Sequence, residues 1–324
     1  MKKLLSIILL TALLLSAATA LAATRIAIVQ PMSHTSLNQI RDTIVSELNA
    51  SGRDIEILLG NANGDTASLA TILSNYRAEG IDMVIPIATS TAQSAKVVFE
   101  DDDTPIVFAA VADPVAAGMT GDDCENITGV SNNIPAAEIV KLIYNFQPDC
   151  RKIGFLYTSS EVNSVSTINA AKAYCDAEGI AYVEASISNL SELQPAAESL
   201  IAKGVDALYT GNDNSIASAM ATYTDVAYSA GIPVYCGADS MVADGGFATI
   251  GVNYVQLGEQ VAAMALRILD GAQPNVRIWS AMRPMPISLP RSPMATEGTP
   301  RARSAFHSTS LLASRAETSL PPAL

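Results

Sequence analysis

Side chains able to grip a small charged molecule gather in short loops along this 324-residue sequence. His34, one of two histidines, follows Pro31-Met32-Ser33. An imidazole there could stack on a ring or hydrogen-bond a solute; a plain loop histidine is the other reading. Ser90 and Thr91 open a helical stretch. Hydroxyls beside the orphan amides of a helix N-terminus suit a carboxylate, and they serve equally well as ordinary caps. Asp113 precedes Pro114, so it could hold an ammonium group or merely turn the chain. Glu161 and Asn163, Asn212 and Asp213, and Asp239 with Ser240 supply three further polar loops. Asn212 to Asn214 head a helix, so capping competes with binding there; Asp213 leans toward binding. An amino acid needs an anion site and a cation site, and this set offers both. Met32, Phe108 and Tyr157 could wall an aromatic ring, with core packing the stronger pull on Phe108.

The motifs of catalysis are missing. No G-x-S-x-G elbow occurs, and no His-Glu-x-x-His or carboxylate–histidine set points to a metal. Gly60-Asn61-Ala62-Asn63-Gly64 lacks the lysine and spacing of a phosphate loop. Acid–base work by Asp113 and Asp213 keeps an exported α/β enzyme as the alternative class. A ligand-sensing domain for a membrane receptor is a third reading of the same fold. No cofactor is called for.

The elements that must position these loops alternate. Short β-branched runs at residues 25–30, 55–60, 82–88 and 105–111 predict strands. Helical stretches at 36–50, 66–79 and 91–100 separate them. After a helix at 136–146 the rhythm restarts, with strands at 152–158, 181–187, 207–211 and 233–237. Helices at 164–178, 190–203 and 215–230 lie between them. The strands are continuous apolar runs, as expected when helices cover both faces of a sheet, and the order implies parallel, doubly wound sheets. Gly52, Gly80, Gly179, Gly204 and Gly231 each follow a helix, where a left-handed C-terminal residue is wanted. Two β-rich segments, 126–132 and 246–253, fit neither rhythm and read as connections between two halves.

Each candidate loop follows a strand. In open α/β sheets ligands sit outside the carboxyl ends of the strands, so both halves contribute to one expected site.

Lys2 and Lys3, an apolar run from Leu4 to Leu15, and Ala20-Leu21-Ala22 form the layout of a cleaved export signal over residues 1–22. The run is shorter than the ~20 residues that span a bilayer, and no cysteine follows it to carry a lipid. A periplasmic location follows as the expectation. The formal charge of −13 disfavours nucleic acid and anionic membrane. The four cysteines at 124, 150, 175 and 236 match no metal or redox spacing. A Cys150–Cys175 disulfide is one reading, and four buried thiols the other.

The stretches PIVFAAVADPVAAGM (105–119), NITGVSN (126–132), DALYTGNDNSIASAM (206–220) and FATIGVNYVQLGEQVAAMALRILDGAQP (247–274) carry a resemblance. With EVNSVSTINAAKAYCDAEGI (161–180), they resemble the periplasmic-binding-protein-like substrate-binding proteins of ABC transporters, in the branch associated with tryptophan and tyrosine uptake. The resemblance covers residues 24 to 274. It implies two doubly wound parallel-sheet lobes of the type I periplasmic fold, joined by crossover strands. It implies a small-molecule solute held in the cleft, hinge closure, a monomer, and the permease subunits of an importer as partners. The expected lobes are 24–129 with about 249–274, and 130–248. Such chains continue after Pro274 into a strand that returns to the first lobe, and this sequence shows no such strand. Its last 50 residues hold seven prolines, eight serines and six arginines, a composition that predicts a disordered tail, as an altered reading frame near residue 273 would produce.

Overall fold

The computed structural model describes residues 23–274, except 122, and residues 279–280. The segment read as an export signal and nearly all of the arginine-rich tail lie outside the described residues.

Two parallel sheets are observed, one per lobe. The first contains β1 (Thr24–Gln30), β2 (Ile55–Asn61), β3 (Met83–Pro86), β4 (Ile106–Ala109), β5 (Ile127–Ser131) and β10 (Trp279–Ser280), in the order β10-β5-β4-β3-β1-β2. The second contains β6 (Lys152–Thr158), β7 (Ala181–Ile187), β8 (Ala207–Tyr209) and β9 (Val234–Tyr235), in the order β7-β6-β8-β9. The type I periplasmic architecture read from the sequence is therefore present.

Alternation across the pleat divides the first core. Ile26 and Ile28 face one layer, with Ile40, Ile44 and Leu48 of α1 (Thr35–Ala50) and Leu257 and Val261 of α10 (Tyr254–Leu269). Ala27 and Val29 face the other, with Leu69 and Leu73 of α2 (Thr66–Ala78) and Ala92 and Ala95 of α3 (Thr89–Val98). Burial on both faces is why β1 reads as a continuous apolar run. The second sheet lies between α4 (Ala136–Phe146) with α5 (Val162–Glu178) and α6 (Leu193–Ala202) with α8 (Met220–Ser229).

Caps fix where helices begin. Asp65 accepts from the Ala67 amide at 3.1 Å, and Asn253 accepts from Gln256 N at 2.9 Å. Each satisfies a donor the first turn leaves orphaned. The predicted helix over 215–230 is interrupted at Ala219, giving a short α7 (Asn214–Ser218) before α8. The break frees α7 to be aimed by its own N-terminal contacts.

Several expectations are corrected. Segment 126–132 is a paired strand of the first sheet, since Ile106 to Ala109 run in register with Ile127 to Val130, so the first lobe extends past 129. Among the described residues the chain passes between the lobes twice, after β5 and between Ala248 and α10. After Pro274 a strand does return: Trp279 and Ser280 pair with Val130 and Ser131. All four cysteines are buried free thiols. Of the two readings the structure shows the buried thiols, and burial pushes the pKa of Cys150 and of Cys175 up to about 11.

Helices α1 and α10 approach closely at Gly258, where an added Cβ would lie 2.7 Å from Thr43 Cβ and 3.1 Å from the Ile40 carbonyl oxygen. A mid-helix glycine costs about 1 kcal/mol against alanine, and this contact explains it. Gly258→Ala is therefore expected to destabilise the protein by ~1–3 kcal/mol through overpacking, despite its better helix propensity, measured by denaturant unfolding.

Candidate functional site

Each sheet reverses its strand order once. In the first sheet the reversal lies between β1 and β3, and in the second between β6 and β8. At such switch points the loops diverge to opposite faces and leave a crevice. The loops that leave them carry His34, Thr89, Glu161, Asn163 and Asp213, and the two crevices face each other.

A cavity of about 20 Å³ lies between them, room for about one water. His34, Ser36, Thr89 and Asn132 line it from the first lobe, and Asn163, Asn212, Asp213 and Asn214 from the second. Its apolar surface comes from Leu37, Met241 and Tyr254, with small openings left by Ala110, Ala112, Ala217 and Ala238. Burial pushes the Tyr254 phenol up to about 12, with Asn132 and Ser36 drawing it back.

Direct hydrogen bonds hold the lobes together around this gap. His34 Nε2 meets Asn214 Oδ1 at 3.2 Å, the Ser36 and Ser240 hydroxyls lie 2.5 Å apart, and Ser166 donates to Asp113 at 2.5 Å. Asn212 Nδ2 donates to the Asn132 carbonyl at 3.1 Å. The structure is therefore the closed form, and a solute larger than water enters only when these contacts part.

The α3 N-terminus is aimed by strain. Ala88 and Ala110 have φ of 71° and 59°, in the half of the map that costs a non-glycine residue of order 1–3 kcal/mol. Backbone bonds hold them there, Ala88 N to Ala109 O and Ala110 N to Val130 O, both 2.9 Å. Thr89 thereby turns into the cavity wall. Thr91, two residues on, is fully buried, with its hydroxyl lacking a partner among the described residues.

Glu161 organises the opposite wall. Its carboxylate accepts from the backbone amides of Asn214 (2.9 Å) and Ser215 (2.8 Å), and from the side chains of Asn163, Asn214 and Ser215. A carboxylate at the first turn satisfies orphan amides and suits the helix dipole. Asp213 works from the other side: it accepts from Thr158 N at 2.6 Å, Thr158 Oγ1 at 2.9 Å and Ile216 N at 2.9 Å. Burial, then the neighbouring Glu161 charge, pushes Asp213 up to about 7.

His34, Asn163, Asn212 and Asp213 of the sequence-derived set line the cavity; the other members do not. Ser90 and Thr91 stand one and two places past the lining Thr89. Asp113 caps its own turn, accepting from Ala116 N at 3.0 Å, and spends its other oxygen on Ser166. Ser240 is a lobe-to-lobe contact. Asp239 packs on the crossover, where an added Cβ on Gly251 would lie 1.8 Å from its Oδ1. The ammonium role expected of Asp213 is corrected, because its oxygens serve Thr158 and Ile216 within its own lobe. Of the proposed ring walls, Met32 and Tyr157 are corrected too, and the core packing expected of Phe108 is observed. Phe108 is buried in the sheet, the Tyr157 hydroxyl lies 3.4 Å from Glu184 Oε2, and Met32 packs on the core. Asn132 and Tyr254 were missed: one ends a segment read as a connection, and the other begins the helix after the second crossing.

The family model for "ABC transporter substrate binding protein" matches residues 25–283. The chain belongs to the ABC transporter substrate-binding proteins. It is 31% identical over 253 residues to a tyrosine-binding protein of Clostridioides difficile, covering 76% of this chain and 72% of that one. A solved ABC domain from Streptococcus pneumonia in complex with L-Trp is 31% identical, covers 80% of this chain and 89% of its own, and has a TM-score of 0.75. A ligand-free, open substrate-binding protein with adhesive properties from Clostridium difficile has the same identity and coverages and a TM-score of 0.60. At equal identity the closed form described here superposes better on the L-Trp complex. A leucine-binding protein from Thermotoga maritima, 12% identical with a TM-score of 0.64, shares the fold. Among the described residues no helix is long and apolar enough to cross a membrane, and no cluster of side chains could hold a metal ion.

Folding takes up a proton at Asp213 between the ordinary carboxyl value near 4 and about 7. Its contribution to stability is thus present at the acid end and is lost as pH rises through that window. In a carbon-detected NMR titration the Asp213 carboxyl is expected to change near pH 7; a midpoint near 4 would show an ordinary, solvated carboxylate.

Proposed function

We propose that this substrate-binding protein captures an α-amino acid with an aromatic side chain between its lobes, outside the cytoplasmic membrane, and delivers it as a monomer to the permease of an ABC importer. The observation that carries the reading is the meeting of opposite recognition groups at one closed gap. Thr89 lines it at the N-terminus of α3, whose first-turn amides a helix leaves without internal partners and which favour a carboxylate. His34 Nδ1 and Asn132 Oδ1 of the first lobe and Asn212 Oδ1 of the second are buried acceptor atoms with no protein donor among the described residues. An ammonium group has three N–H donors to offer such atoms. Tyr254, Leu37 and Met241 provide the apolar surface an aromatic side chain needs.

The relatives support the same class, since one is named for binding tyrosine and another was solved with L-Trp. The export signal at residues 1–22 and the family's extracytoplasmic work support the location. Binding without turnover fits a cavity whose lining carboxylate, Asp213, is held by Thr158 and the first turn of α7.

Thermal unfolding against a panel of amino acids, nucleosides and sugars tests this directly. L-tryptophan or L-tyrosine at about 100 times its dissociation constant is expected to add about 2.7 kcal/mol, with sugars and nucleosides silent. A panel in which only a sugar or a nucleoside stabilises the protein would overturn the assignment.

A further inference from the structure

A chain of hydrogen bonds fixes the protonation of His34. The Glu161 carboxylate has no proton to give, so the Asn214 side chain must face it with its NH₂ group; Asn214 Nδ2 lies 2.8 Å from Glu161 Oε2. That orientation leaves Asn214 Oδ1 pointing across the gap to His34 Nε2, 3.2 Å away. An amide oxygen only accepts, so Nε2 must carry the hydrogen. In a neutral imidazole the other nitrogen, Nδ1, is then a bare lone pair. That atom is buried, lacks a partner among the described residues, and belongs to a ring that lines the cavity.

We propose that His34 is a proton-gated acceptor, whose neutral Nδ1 receives an N–H of the bound solute and whose protonation at that atom expels it. The inference rests on the cleft being the solute's seat, and it names the residue by which acidity controls occupancy. With Nδ1 protonated, both ring nitrogens donate. The ammonium end of an amino acid then meets a like charge in a gap closed to water.

The surroundings set the direction. Burial lowers the His34 pKa below its ordinary value, outweighing the opposing pull of Asn214, of Glu161 from the loop before α5 and of Asp244 from the end of α9 (Asp239–Ala243). Tyr254, from α10, stays neutral. Asp213 titrates nearby and lines the cavity, with its hydrogen bonds inside the second lobe; burial raises its pKa, so closure favours its protonated form and any contribution it makes to the profile runs opposite to that of His34. His34, by contrast, returns to water and to an ordinary pKa near 6.5 when the lobes part. The open form therefore binds the proton more readily, and acid favours opening.

Calorimetry with L-tryptophan and L-tyrosine from about pH 5 to about pH 8 reads the effect, because the ionisable groups of these amino acids titrate outside that range. The dissociation constant is expected to rise by up to tenfold per pH unit below about pH 6.5. His34→Gln is expected to bind more weakly near neutrality and to lose the slope. A flat wild-type profile, or a variant as steep as the wild type, overturns the proposal. Nitrogen-15 NMR of the ring is independent of any ligand, and with only two histidines the His34 signal is identified by its loss in His34→Gln. A proton on Nε2 supports the proposal and a proton on Nδ1 overturns it; a midpoint below the ordinary value is expected of the closed form alone, because opening returns the ring to water. If neither amino acid binds at any pH, the proposed solute class falls, and the ring spectrum alone decides whether His34 presents an acceptor.

Discussion

A parallel strand can be followed by another only if the chain recrosses the sheet, so the carboxyl ends of all its strands lie on one edge. The whole molecule depends on that constraint. Each lobe collects its polar loops at the edge where strand order reverses, and the two crossings turn those edges toward each other. No long-range attraction between the loops is needed to gather them. His34 and Asn214 are 180 positions apart in sequence and 3.2 Å apart in space because each lies just past a strand beside a switch point.

Within that frame one carboxylate governs the chemistry. Glu161 joins α5 to α7, aligns Asn214, and through Asn214 sets which nitrogen of His34 bears hydrogen. Its own charge is consumed by this task, as Asp213's oxygens are by Thr158 and Ile216. The cleft therefore presents lone pairs of neutral side chains where free carboxylates would have been expected. Such a lining recognises an ammonium group while burying little uncompensated charge, which is costly at low dielectric. The first lobe contributes the complementary feature by holding Ala88 and Ala110 in strained conformations, so that Thr89, at the start of α3, lines the same gap.

The architecture was legible in the sequence because its signals are local. Apolar runs marked the doubly covered strands, and Gly52, Gly80, Gly179, Gly204 and Gly231 all adopt positive φ at helix ends, as their spacing implied. The site was only half legible. Strand ends pointed to loops that meet between the lobes, and His34, Asn163, Asn212 and Asp213 of the sequence-derived set line the cavity there. Which residue of a loop faces inward depends on backbone angles such as Ala88's positive φ, and these moved the wall from Ser90 and Thr91 to Thr89. Nor does composition distinguish a carboxylate that binds from one that caps; Asp113, Glu161 and Asp213 all cap or cross-link. Asn132 was hidden because β5 is too short to show a rhythm of its own, and the β10 pairing because two residues carry no period at all.

The central claim is that the solute is enclosed by closure of two lobes. Spin labels replacing the exposed Leu59 of the first lobe and Leu190 of the second, read by pulsed electron resonance, measure that motion directly. With L-tryptophan or L-tyrosine shown to bind, saturation is expected to collapse a broad interlobe distance distribution to one narrow population matching the closed form. An unchanged distribution in the presence of bound solute would contradict the account.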